Sequence, residues 1–446
     1  MNSTGKKTLA LIFVILLLAP LPSLFAQSGE DLTIKVALIG PGSELYFWWG
    51  HIALVIEDNR TGQSRFFDWG VFSFDTENFF TNFAFGRLIY TSQASPTHLN
   101  FDVYIRTNRS VILYTLDLPP ETKLEVLRFA EASMNQDYLY HHFRKNCATK
   151  IRDIIDMATG GQFKAAFGEM PGRFTLRQHV RRHTWFNPFF DWLLNFWMGQ
   201  NIDGQITVWD EMFLPSEITK RIRDFSFIDA DGGERNLVSN VETFFASQGR
   251  PAVLDIPRLQ WPRTLIFSVS VSALFLLALF FFAKHKAYRI CMGLMQSLLG
   301  LFFGITGSML FFMSFFTYHD YTFNNINIVF VNPLFLALVP LGIIFAFTAA
   351  EKKRIAVIRI IKFFWGYVFL GAFVTIVIKV FPAFYQQNQV DLALIMPLAL
   401  AMIMTMIRLG EVSRQRYKIE RSLYGMARKS HIGKRPGTSR RSSKKS

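Results

Sequence analysis

From residue 265 onward the chain carries five apolar runs, near 265–283, 290–316, 328–349, 357–381 and 392–407. Each is of about the length, roughly 17–25 residues, that carries a helix across the hydrocarbon of a bilayer. Basic residues between the runs set an expected orientation. Lys284, Lys286 and Arg289 follow the first run, Lys352, Lys353 and Arg354 follow the third, and an Arg/Lys-rich tail follows the fifth. All three are expected in the cytoplasm, which puts the loops 317–327 and 382–391, and the whole leading part of the chain, on the outer side.

The expected organisation has four parts. Lys6 and Lys7, an apolar run over 9–25 and small residues around Ala26 read as a signal peptide at 1–26, with an uncleaved anchor as the alternative. An extracytoplasmic domain occupies 27–262, a transmembrane helical domain 263–410, and a basic cytoplasmic tail 411–446. The formal net charge of +15 would point to nucleic acid if it were spread over a soluble domain. Much of it lies instead in the tail, where it fits a positive-inside segment attracted to anionic lipid, so no nucleic-acid partner is expected. No His/Cys/Asp/Glu spacing matches a metal site and no glycine loop matches a phosphate site, so neither metal nor cofactor is expected.

The extracytoplasmic segment reads as α+β. Strands are expected at 32–39, 51–57, 64–69, 87–92, 100–106 and 110–118, from alternation and turn residues. A helix opens at Pro119-Pro120, and another begins at Cys147, with Asn146 as N-cap, Ile151, Ile154, Ile155 and Ala158 as its apolar stripe, and Gly160-Gly161 at its end.

Cys147 is one of two cysteines in 446 residues; Cys291 lies inside an apolar run. An exported domain with a single thiol has no disulfide to make, so a reactive thiol is the reading to test. The dipole and free N–H groups of a helix's first turn favour a thiolate and can hold an oxyanion. A thiolate nucleophile needs a base and a group that orients it. His51, at the start of a central strand after the Trp48-Trp49-Gly50 corner, is the best-placed base, and Asp68 on the neighbouring strand is the candidate to orient it. His141 and His142 remain alternatives. Asn146 and Trp49 are candidates to contact substrate. The aromatic segment 185–197 suits a membrane interface, as a docking helix or an acyl channel, or else forms an ordinary core helix. His319, Asn325 and Asn327 lie in the outward loop 317–327, either to bind a substrate's polar group or to cap helix ends.

These residues carry a resemblance. Trp49-Gly50-His51-Ile52-Ala53-Leu54, Phe67-Asp68-Trp69-Gly70-Val71-Phe72-Ser73-Phe74 and Asn146-Cys147-Ala148-Thr149 resemble the exported domain of the bacterial Lnb-type lipoprotein transacylases. So do Gly199-Gln200-Asn201-Ile202-Asp203-Gly204, Phe213-Leu214-Pro215, and the loop from His319 to Asn327 followed by Asn332-Pro333. The resemblance implies a permuted papain-like (NlpC/P60-like) domain followed by about five transmembrane helices, in the inner membrane with the catalytic domain on its periplasmic face. It further implies acyl transfer from the diacylglyceryl group of a lipoprotein to the lipoprotein's terminal amine, through a Cys147 thioester. Diacylglyceryl-modified lipoproteins and membrane lipids would be the partners. Two other classes stay open: an exported Cys-His hydrolase acting on lipid or cell-wall peptide, and a membrane scaffold with a dead thiol fold.

Overall fold

The computed structural model describes residues 28–432; the expected signal peptide at 1–26 and the end of the basic tail lie outside them. The fold is α+β, with a sheet domain ahead of five helices long and apolar enough to cross a membrane. The described residues form two compact units, neither continuous in sequence. The first takes in 28–72, 89–170 and 212–250, the second 73–88, 171–211 and 251–432.

The first unit is built on the strands β1 (Leu32–Ile39), β2 (His51–Asp58), β3 (Gln63–Val71), β4 (Ile89–Pro96), β5 (Val111–Leu116), β6 (Tyr138–Leu139), β7 (Ser226–Ile228), β8 (Glu234–Asn236) and β9 (Val238–Phe245). Seven of them make an antiparallel sheet in the order β6-β4-β3-β2-β1-β5-β9, while β7 and β8 pair separately. β2 is central, and Ile52 to Ile56 are buried without interruption, as expected of a strand covered on both faces. Ala53 and Val55 meet Phe66, Phe101 and Tyr104 on one face. The helix Cys147–Ala158 packs against β2.

Residues 100–106, expected as a strand, belong to the helix Thr97–Arg106. Phe101, Val103 and Ile105 alternate like a strand. The buried positions are however Thr97, Phe101 and Tyr104, a helical spacing, and Val103 and Ile105 are exposed. Two aromatic rings packing on Phe66 decided the period.

The second unit contains the candidate spans Trp261–Phe282, Lys286–Phe316, Ile326–Phe347, Glu351–Ile378 and Gln389–Leu423, in good agreement with the five runs. A stripe of small residues joins the second and third. A Cβ on Gly293, Gly300, Gly304 or Gly307 would fall within 2.7 Å of atoms of Gly342, Leu338, Leu336 or Asn332, so glycine is what allows this approach. The third span begins as 3-10 turns, Ile326–Val329 and Pro333–Ala337, before the helix Leu338–Phe347. The aromatic segment expected at an interface supplies the helix Pro188–Trp197. Trp192 stacks on Phe302 of the second span, Trp197 Nε1 donates to the Thr306 carbonyl at 3.2 Å, and Phe196 enters the core of the bundle.

Candidate active site

Two turns deliver the candidate base and nucleophile. Gly50 has φ of +77°, and a Cβ there would sit 2.8 Å from the Ile39 carbonyl oxygen. The corner before β2 therefore requires glycine, and it sets His51 opposite Ile39 in the β1–β2 register. At Cys147 the cap is reciprocal. Asn146 Oδ1 accepts from the Thr149 N–H and Thr149 Oγ1 accepts from the Asn146 N–H, each at 2.9 Å. Asn146 Nδ2 donates to the carbonyls of His142 and Phe213, at 2.8 and 3.0 Å. Its amide is thus fully engaged in fixing the start of the helix. The backbone N–H groups of Cys147 and Ala148 are the first-turn donors that the cap leaves aside.

His51 Nε2 lies 2.8 Å from Asp68 Oδ1, and Cys147 is near enough to the imidazole to act on its charge. Both His51 and Asp68 side chains are mostly enclosed, and Cys147 is half-buried and unbridged. Burial opposes the imidazolium, but the Asp68 carboxylate and the Cys147 thiolate outweigh it and raise the His51 pKa from 6.5 to about 10. The stability that this gain contributes is fully present below pH 6.5 and is lost as pH rises through about 10. Asp68→Asn removes the charge with the larger effect on the imidazole, so the loss should set in at lower pH. Unfolding midpoints of the two proteins between neutral pH and pH 10 check this; superimposable curves would mean that Asp68 does not govern the imidazole.

The other sequence candidates fall elsewhere. His141 Nδ1 accepts from the Phe143 and Arg144 N–H groups, at 3.1 and 3.0 Å, which ties it into the turn ahead of the helix. The His142 ring packs edge-on against Tyr140. Trp49 is half-buried beside Trp48. His319, Asn325 and Asn327 belong to the second unit. His319 Nε2 meets the Phe83 carbonyl at 3.1 Å and Nδ1 meets Tyr321 Oη at 2.8 Å; burial lowers its pKa. Asn325 and Asn327 both donate to the Phe196 carbonyl and accept from Gln386 and Asn388. Their amides hold the turn that opens the third span.

One residue escaped the sequence reading. A Cβ on Gly70, at the β3 bulge, would lie 3.8 Å from Tyr138 Oη and 3.9 Å from Cys147 Cβ, so the phenol and the thiol border the same space. The Tyr138 hydroxyl is buried and finds no hydrogen-bond partner among the described residues. Burial, with the Cys147 and Asp68 charges, pushes its pKa up. It is a proton donor without an acceptor. The Lys145 and Lys150 ammonium groups lie over its ring, 5.5 and 5.7 Å from the centroid.

Comparison with curated proteins and with solved structures gives no significant match. Residues 26–182, which hold His51, Asp68, Tyr138 and Cys147, match the family model of the Lnb N-terminal periplasmic domain, and this part of the chain is therefore similar to that domain.

Proposed function

We propose that this protein is a membrane-bound lipoprotein transacylase acting through Cys147. The observation that carries the reading is a helix-start thiol near enough to a His51–Asp68 pair to act on the imidazole's charge, in a chain that also holds five candidate spans. It fits a permuted papain-like thiol fold, in which a strand histidine precedes the helix-start cysteine. The donor is the diacylglyceryl group on a lipoprotein's terminal cysteine, the acceptor is the free amine of that cysteine, and no cofactor takes part. An acyl chain costs about 0.8 kcal/mol per methylene brought into water, so an enzyme tethered to the bilayer by its own spans suits this substrate.

In the first half-reaction the Cys147 thiolate attacks an ester carbonyl and the tetrahedral oxyanion collapses with loss of the glycerol oxygen, which takes the proton from His51. With Nε2 engaged by Asp68, Nδ1 is the ring nitrogen left to serve the thiol. Acylation removes the thiolate charge that helps to raise the His51 pKa, so the imidazolium becomes a stronger acid as the leaving group needs its proton. In the second half-reaction the amine attacks the thioester, His51 accepts the amine proton, and the thiolate leaves. The products are an amide and a lyso lipoprotein, at constant acyl count.

The N–H groups of Cys147 and Ala148, with the Tyr138 hydroxyl, are the donors for the oxyanion. Tyr138→Phe should lower the rate of acyl-enzyme formation by about 10²-fold, the usual effect of losing one such donor, while the fold is kept. A rate within twofold of wild type would remove Tyr138 from the mechanism.

Mass spectrometry of a lipoprotein's terminal peptide, from cells lacking this protein with and without the gene restored, tests the function. Acyl transfer from glycerol to the amine is the expected result. Acyl loss without N-acylation would identify an esterase, and an unchanged lipopeptide would turn attention to cell-wall substrates.

A further inference from the structure

The segment 73–88 belongs to the second unit and is dominated by Phe74, Phe79, Phe80, Phe83 and Phe85. Phe79, Phe80 and Phe83 lie on the short helix Phe79–Ala84, at spacings that bring them to one side. Their rings pack on one another and on Phe74, with centroids 5.2 to 6.2 Å apart. The cluster is nevertheless open: Phe80 is 70% exposed and Phe74 51%. Exposed phenylalanines clustered in this way mark a surface made for an apolar partner.

The segment's attachment says which partner. Phe85 packs on Phe312 with centroids 5.5 Å apart, and its carbonyl accepts from the Tyr318 N–H at 2.9 Å. The Phe83 carbonyl meets His319 Nε2, and the Arg87 guanidinium lies 5.2 Å over the Tyr318 ring. A Cβ on Gly86, where φ is +75°, would be 2.8 Å from the His319 backbone nitrogen. The segment is thus clamped to the end of the second span that lies away from the basic turn 284–289. At 1.5 Å per residue, roughly 30 Å of hydrocarbon counted from Arg289 is crossed by about Met309. The last turns of that span, with Phe311, Phe312, Phe315 and Phe316 all exposed, then stand at headgroup level, where aromatic side chains concentrate. The phenylalanines of 73–88 stand at the same level and extend the same apolar surface.

We infer that 73–88 is an interfacial element whose phenylalanines insert into the headgroup–acyl boundary of the leaflet opposite the basic turn, with bilayer lipid as the occupant of this face. Asp75 and Glu77, exposed in the turn ahead of the helix, keep the insertion shallow.

The test uses the full chain carrying Cys147→Ser and Cys291→Ser, so that nothing depends on catalysis. Phe80→Cys, or in parallel Phe83→Cys, is labelled with an environment-sensitive fluorophore and reconstituted into phosphatidylcholine–phosphatidylglycerol vesicles. Leu298→Cys, exposed and mid-span, is the deep control. The expected result is blue-shifted emission, with severalfold stronger quenching by a nitroxide held near the lipid headgroup than by one near the chain end, and the reverse order at Leu298. Strong quenching by aqueous iodide would overturn the proposal by placing the segment in water. Protection from lipid and aqueous quenchers alike would overturn it in favour of a protein partner.

Discussion

Cys147→Ser should reduce turnover of a diacylglyceryl peptide by a factor on the order of 10⁴–10⁶ without unfolding the protein. The change replaces sulfur by oxygen at a half-buried position, so it opens little space, and the cap that starts the helix is made by Asn146 and Thr149 and is untouched. A serine hydroxyl beside the same imidazole is far harder to ionise than a thiol, and loss of a covalent nucleophile costs about that much in enzymes that work as a unit. His51→Ala should cost about 10²–10⁴, because the thiol then loses both its proton acceptor and the imidazolium that stabilises its charge. Cys291 is exposed on the second span and outside this arrangement, so Cys291→Ser should stay within about twofold. Initial rates with purified protein, read by mass spectrometry of the peptide, separate these cases. Substantial activity in Cys147→Ser, or its loss in Cys291→Ser, would move the chemistry elsewhere in the chain.

The parts of this site that were legible in the sequence are those fixed by local rules. Asn146 before an apolar helical stripe announces the cap, and Gly160-Gly161 its end; both glycines have positive φ. A continuous apolar β2 after Gly50 announces a central strand, and a hairpin through Asp58-Asn59-Arg60-Thr61-Gly62 brings Asp68 back beside His51. Tyr138 was not legible. It lies on the two-residue strand β6 at the sheet edge, where no local rule marks it as a neighbour of the space beside Cys147. The helix Thr97–Arg106 was missed because its sequence satisfies two periods, and only the packing of Phe101 and Tyr104 on Phe66 chooses between them. The grouping of 73–88 and 171–211 with the membrane helices depends on contacts, aromatic as well as polar, between residues far apart in the chain. Hydropathy does not report such contacts.

Arg177 is the sharpest instance, and Arg177→Ala should destabilise the protein by about 3–5 kcal/mol, the usual cost of breaking a buried ion pair by removing one partner. The side chain is fully buried. Its Nε and Nη2 donate to the two Asp203 carboxylate oxygens, at 2.6 and 3.1 Å. Nη1 donates to the Asn195 carbonyl, and Nη2 also to the carbonyls of Met198 and Gly199, at 2.6 to 2.9 Å. Asp203 in turn accepts from the Gln387 N–H at 3.0 Å, just ahead of the fifth span. One guanidinium therefore joins the helix Leu176–Thr184, the end of the helix Pro188–Trp197 and the entry to a span, with its charge matched by one carboxylate. Alanine would leave that carboxylate buried without its cation and take a donor from each of three carbonyls, of which Met198 keeps Gln386 Nε2. Lysine should rescue little, since a single ammonium cannot reproduce the planar fork. Arg177→Ala/Asp203→Ala should be less damaging than the sum of the single changes, because it removes the stranded charge as well as its partner. Unfolding midpoints in detergent for the four proteins decide the matter. A single alanine variant as stable as wild type would mean that the pair is incidental to how the second unit holds together.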